Sequence, residues 1–159
     1  MVILGIDPGT HRAGYGVIES SRNECRYVGA GLLPARHEEA HLRLRDIKRG
    51  MDTVIGAFRP AGIAVEKLFV TRNQKTGIAV AQARGVILLA AAEHNLPIAE
   101  FGPGEIKSHL TGYGAADKSS VAKMVRIILK CPSLSVIDDV SDALAAALAA
   151  HFIKAFGRD

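Results

Sequence analysis

The chain has no tryptophan, and its remaining aromatic surface comes from five phenylalanines and three tyrosines. It has two cysteines, Cys25 and Cys131, which are too few for a disulfide scaffold and whose spacing fits no zinc motif. Long uninterrupted apolar runs are missing. The stretches 78–92 and 143–150 are short, alanine-rich or broken by Gln82 and Arg84, and neither is expected to span a membrane. No leading segment resembles a signal peptide, because Asp7 falls inside what would have to be its apolar core. Of the six histidines only His37 and His41 show a metal-like spacing. They lie away from the acidic pattern described below and read as surface residues of an amphipathic helix. These absences lead to the expectation of a reduced, soluble, cytoplasmic protein with no membrane partner.

What is present suits one folded domain over residues 1–159. The length fits a single unit, and 48% hydrophobic with 23% charged residues is a globular balance. Twenty Lys and Arg oppose sixteen Asp and Glu, for a net charge of +4. That excess suits a polyanionic partner without requiring one.

Residues 2–6 form a short apolar strand that ends at Asp7-Pro8-Gly9, a turn signal. Further strands are predicted over 13–19 and 27–33, the last stopped by Pro34. With only turns between them, these three make an antiparallel meander. A helix follows over 38–58, then a buried strand at 63–65 with Glu66 at its end. A long helix is predicted over 73–94 and a short strand over 97–100. A brief helix starts at Pro103, where a missing N–H costs nothing, and runs to about Leu110. Asp117 caps a helix whose Val121, Met124, Val125, Ile128 and Leu129 form an apolar stripe. A last helix is predicted over 141–156, with Leu144, Ala147, Leu148 and Phe152 on its buried side. The order implies an α/β fold: a five-stranded mixed sheet, antiparallel meander plus parallel strands, flanked by helices.

Acidic residues fall at the ends of these elements. Asp7 closes the first strand, Glu66 closes the fourth, and Asp138, Asp139 and Asp142 open the last helix. Strand ends in the middle of a sheet lie close together, and offsets of three or four put Asp142 on one helix face with Asp139 or Asp138. Taken singly, each acid reads as a turn, a surface residue or a charge complementing a helix dipole. Taken jointly, they suit hard cations such as Mg²⁺ or Mn²⁺, and a pair of such ions can hydrolyse a phosphodiester. Directly after Glu66 comes an acid-free stretch, Lys67 to Ala92, carrying Lys67, Arg72, Lys75 and Arg84. Lys107 and Lys118 flank a glycine-rich loop, Thr111-Gly112-Tyr113-Gly114. Lysines so placed can position a phosphate backbone or stabilise charge in a transition state. Lys123 and Lys130 read as a solvated face. Phe69 is either an exposed ring able to wedge or stack on bases, or a buried ring closing the sheet edge.

The segments GIDPGTHRAGYGVIE, AVEKLFVTRN, QARGV and DDVSDALAAAL, in that order, closely resemble the RuvC family of bacterial crossover (Holliday) junction endodeoxyribonucleases. The resemblance runs in register over nearly the whole chain. It implies a ribonuclease H-like fold and a homodimer that nicks two opposing strands of a four-way DNA junction in recombination and repair. It also implies a Mg²⁺-dependent hydrolysis, with Mn²⁺ as a substitute and two ions per subunit, that leaves 5′-phosphate and 3′-hydroxyl ends. Carried over residue by residue, the family's four acids fall on Asp7, Glu66, Asp139 and Asp142, with Asp138 the neighbouring competitor for the third place. The functional lysines fall on Lys107 and Lys118, and the junction-contacting aromatic on Phe69. Arg72, Asn73 and Lys75 occupy positions expected near DNA. Lys67 stands where the family is expected to carry glutamine, and its side chain is expected to point away toward DNA. The RuvA–RuvB branch-migration complex is the partner implied.

Three rival readings draw on the same residues. GIDPGT also resembles the first phosphate loop of the actin and sugar-kinase group, but those proteins enclose a nucleotide between two such domains and no second loop is visible. A ribonuclease H-like nuclease acting on RNA or from an end would share the acids and lack the wider motif match. A DNA-binding module that has lost catalysis would be expected to lack an acid, and none is missing.

Overall fold

The structure is a computed structural model that describes residues 1–9, 12–22, 24–67, 74–132, 134 and 138–157; the side chains of Gln74 and Lys75 also lie outside the description. Five strands and five helices follow in the expected order: β1 (Val2–Asp7), β2 (Ala13–Ser20), β3 (Cys25–Leu33), α1 (Ala40–Phe58), β4 (Gly62–Glu66), α2 (Gln74–Glu93), β5 (Ile98–Phe101), α3 (Pro103–Thr111), α4 (Lys118–Ile128) and α5 (Asp138–Phe152). The strands form one mixed sheet in the order β3-β2-β1-β4-β5. β1 pairs antiparallel with β2, Asp7 opposite Gly14, and parallel with β4, Ile6 beside Val65. β5 adds parallel to β4, Glu66 beside Phe101.

Side chains alternate across a strand, so each central strand feeds two cores. Leu4, Ile6, Val17, Ile63 and Val65 face α1 and α2, where Ile47, Met51, Ile55, Ala83 and Ile87 meet them. Ile3, Ile18 and Ala64 face the other way, toward α3, α4 and α5. α5 lies unusually close to the sheet on that face. A Cβ on Gly5 would collide with the carbonyl of Ala143, and one on Gly14 with the carbonyl of Asp139. The helix meets these glycines with alanine after alanine, Ala143 and Ala145 to Ala147 all buried. Small residues on both sides let backbone approach backbone.

Some element boundaries differ from the sequence expectation. α5 begins at Asp138, three residues early, because acids are favourable in a first turn where the helix dipole is positive. It ends at Phe152 and not at 156: Lys154 turns left-handed (φ 53) and Ala155 N–H closes back on the Ala150 carbonyl. Phe152 is consequently 44% exposed and leaves the buried side assigned to it. α1 starts at Ala40, so His37 precedes the helix, and its Nδ1 lies 2.7 Å from Asp46 Oδ2.

α2 differs from the expectation that the 78–92 stretch is too short or too broken to cross a membrane. By length and composition alone, Thr76–Glu93 is long and apolar enough to cross a membrane. Ala83, Ile87, Ala90 and Ala91 are buried against the core shared with α1, while Ile78 and Leu89 are 62% and 53% exposed.

Candidate active site

Asp7 and Glu66 occupy neighbouring positions at the ends of two parallel central strands, beyond the pair Ile6–Val65. Strand alternation sends both toward the face that α5 covers, the face of Gly5 and Ala64. The same close approach that packs α5 onto Gly14 brings Asp139 to Asp7, since Gly14 is the cross-strand partner of Asp7. Asp142 follows one turn later. α3 contributes Lys107 from beside the sheet, and α4 contributes Lys118 at its first residue, after Asp117 has accepted the Ser120 N–H at 2.7 Å.

These six side chains line one cleft of about 340 Å³, walled by Pro103, Ile106, Val121 and Ala145. Asp138 is exposed and is not among the lining residues, so the structure places Asp139 and not its neighbour beside the other acids. A larger cavity of about 670 Å³ lies at the far end of α5, around Ser20, His151 and Phe156, and among the described residues no carboxylate lines it.

Asp7 is pushed up from 3.8 to about 7, first by burial and then by the charges of Asp142, Glu66 and Asp139, with Lys118 opposing. Burial and Asp142 push Glu66 up as well, against Lys118 and Lys107. Two of the acids hold cationic partners: Lys118 Nζ is 3.1 Å from Asp142 Oδ2, and Arg12 Nε is 3.2 Å from Asp139 Oδ2. The bond to Asp142 raises Lys118 in turn. Among the described residues, no three His, Cys, Asp or Glu side chains are already drawn together to hold a metal ion. The donor set is nonetheless made of carboxylate oxygens, the ligands of Mg²⁺ and Mn²⁺. The proton affinity of Asp7 marks a deficit of positive charge that a bound cation would relieve.

Other expectations met different outcomes. Lys67 is not among the residues lining the cleft; its Nζ lies 3.6 Å from Glu105 Oε2 at the start of α3, an ion pair with no local signal in the sequence. Lys130 is exposed and reaches Glu24 at 3.6 Å. Phe69, Arg72 and Asn73 lie outside the described residues, as does the side chain of Lys75. Arg12 is a cleft-side residue that sequence reasoning misses. An arginine after a turn carries no signal of its own, and only the approach of α5 shows its partner.

The crossover junction endodeoxyribonuclease RuvC family matches residues 3–151, a span that holds all four clustered acids and both lysines. This chain belongs to the RuvC family. It is 45% identical over 150 residues to the RuvC of Heliobacterium modesticaldum, covering 93% of this chain and 92% of that one. To the RuvC of Desulforamulus reducens it is 41% identical over 159 residues, covering 99% and 98%. Among solved structures, Thermus thermophilus RuvC in complex with a Holliday junction substrate superposes with a TM-score of 0.89 at 35% identity, covering 97% of this chain and 94% of that one. The fold is thereby the ribonuclease H-like fold of RuvC, and the enzyme class is that of a nuclease hydrolysing DNA.

Proposed function

We propose that this RuvC chain resolves four-way (Holliday) DNA junctions by paired, symmetric, Mg²⁺-dependent phosphodiester hydrolysis during recombination and repair, leaving 5′-phosphate ends. The observation that carries the reading is the single cleft holding Asp7, Glu66, Asp139 and Asp142 beside Lys107 and Lys118. Bound there, two Mg²⁺ ions, or Mn²⁺ in their place, would polarise the scissile phosphate, acidify the attacking water and stabilise the leaving oxygen. Asp7 and Glu66, partly buried and raised in proton affinity, are the acids that gain most from a cation. Asp139 and Asp142 would exchange Arg12 and Lys118 for metal. Lys118, released from Asp142, and Lys107 across the cleft then face the phosphate as charge-stabilising and positioning groups.

By resemblance, Phe69, Arg72, Asn73 and Lys75 contact the junction beyond the cleft, the protein works in the cytoplasm as one domain over 1–159, and the RuvA–RuvB complex delivers the junction. A homodimer supplies the second cut. The exposed stripe of α2, with Ile78, Ala81, Gly85 and Leu89 along one side, is a surface on which a second helix can pack closely.

Asp7→Asn tests the site. It removes a metal ligand and leaves the phosphate contacts, so junction cleavage should fall by about 100-fold or more while junction binding in EDTA is retained. A variant that cuts normally with Mg²⁺ would refute the assignment.

A further inference from the structure

The loop between α3 and α4 presents a ring that none of the roles above uses. Tyr113 is 66% exposed, more than any other large apolar or aromatic side chain among the described residues. It is one of only eight aromatic residues in the chain. An aromatic ring left in water forfeits the burial that usually stabilises it.

The loop that carries it is firmly held. Gly112 ends α3 in the left-handed conformation (φ 76), its N–H bonded to the Ser108 carbonyl at 2.9 Å. Thr111 Oγ1 sits 2.8 Å from the Lys107 carbonyl and accepts the Tyr113 N–H at 3.1 Å. The Tyr113 carbonyl accepts the Ala116 N–H at 3.1 Å. Both backbone polar groups of Tyr113 are therefore engaged, and the side chain is presented outward from a fixed base.

That base stands at the margin of the acidic cleft. Lys107 and Pro103 of α3 line the cleft on one side of the loop, and Lys118 of α4 lines it on the other. Gly114 folds back against the first turn of α3, where a Cβ would come within 3.2 Å of the Gly104 carbonyl, next to Pro103. The loop joins the two helices that carry Lys107 and Lys118, so it lies beside a phosphate held between those lysines.

We propose that Tyr113 is a nucleic-acid contact, its ring stacking on a base of the DNA strand that runs out of the cleft past the α3–α4 loop. The proposal rests on the junction-nuclease reading. Stacking on an aromatic platform tolerates any base and needs no hydrogen-bond code, so the contact would fix the strand's path. A ring held on a rigid loop loses little conformational freedom when it stacks.

The absence of native tryptophan makes the test direct. Tyr113→Trp installs the only indole, and its fluorescence is followed while a synthetic four-way junction is added in EDTA. Quenching together with protection from iodide is expected at the concentration where a gel shift shows binding. Tyr113→Ala should weaken junction binding by about 5- to 100-fold with no change in thermal unfolding, and Tyr113→Phe should restore it. Binding of the junction with unchanged indole fluorescence, or an alanine variant that binds like the parent, would overturn the stacking role alone. A parent protein that binds no junction would overturn the junction-nuclease reading and this proposal together.

Discussion

At the scale of single residues, the carboxyl of Asp7 shows the conflict built into the cleft. Its proton affinity is raised to about 7 by burial and three neighbouring acids, whereas an unfolded chain would hold it near 3.8. Folding therefore favours the protonated form. The stability linked to Asp7 is fully present below about pH 4 and is lost as the pH rises through about 7. In EDTA, the thermal midpoint of the parent protein should fall between about pH 5 and pH 8. Asp7→Asn, uncharged throughout, should be the more stable protein at about pH 8, by roughly 2–4 kcal/mol. Mg²⁺ should close that gap by stabilising the ionised carboxylates. A parent midpoint that does not fall over this range would remove the electrostatic case for a cation. Legibility at this scale was uneven. Asp7 and Glu66 could be read as strand-end acids because strand runs are short and sharply bounded. Asp139 could not be told from Asp138 by spacing alone, since either lies within a turn of Asp142; the seating of α5 on Gly14 brings Asp139, and not Asp138, to the cleft. The pairs Arg12–Asp139 and Lys67–Glu105 join residues far apart in sequence, and no local pattern announces them.

At the scale of elements, the site depends on how near α5 comes to the sheet. Glycines at 5 and 14 and alanines along the helix were visible in the sequence, but their use was not, because small residues signal permission and not a partner. The same ambiguity left open which way α2 packs. Short apolar runs marked the strands and an apolar stripe marked α4, whereas α3 was legible from Pro103 and α2 from its length, and several element ends differ, such as the start of α5. Gly14→Ala should displace the helix turn that carries Asp139, costing about 3 kcal/mol or more in chemical denaturation and taking cleavage with it. Gly56→Ala, in α1 with nothing within 4 Å of the added carbon, should instead stabilise by about 0.5–1 kcal/mol. Equal effects at the two positions would mean that the close approach of α5 is not what constrains Gly14.

At the scale of the whole molecule, the net charge of +4 conceals an arrangement. Four of the sixteen acids and two of the twenty Lys and Arg are gathered in one cleft, so outside it twelve acids oppose eighteen bases. A surface of that sign should bind DNA with a strong salt dependence, affinity falling at least about tenfold between roughly 50 and 200 mM salt. Leu89→Glu, which puts a charge in the exposed apolar stripe of α2, should convert the proposed dimer to a monomer in sedimentation velocity and leave thermal stability nearly unchanged. The account's central claim, that the clustered carboxylates make a cation-dependent junction nuclease acting in pairs, is tested most directly by mapping both incisions on one synthetic four-way junction labelled on opposing strands. The account predicts two symmetrically placed nicks with 5′-phosphate ends in Mg²⁺ and none in EDTA. Cutting that persists in EDTA, or that falls equally on linear duplex, would contradict it.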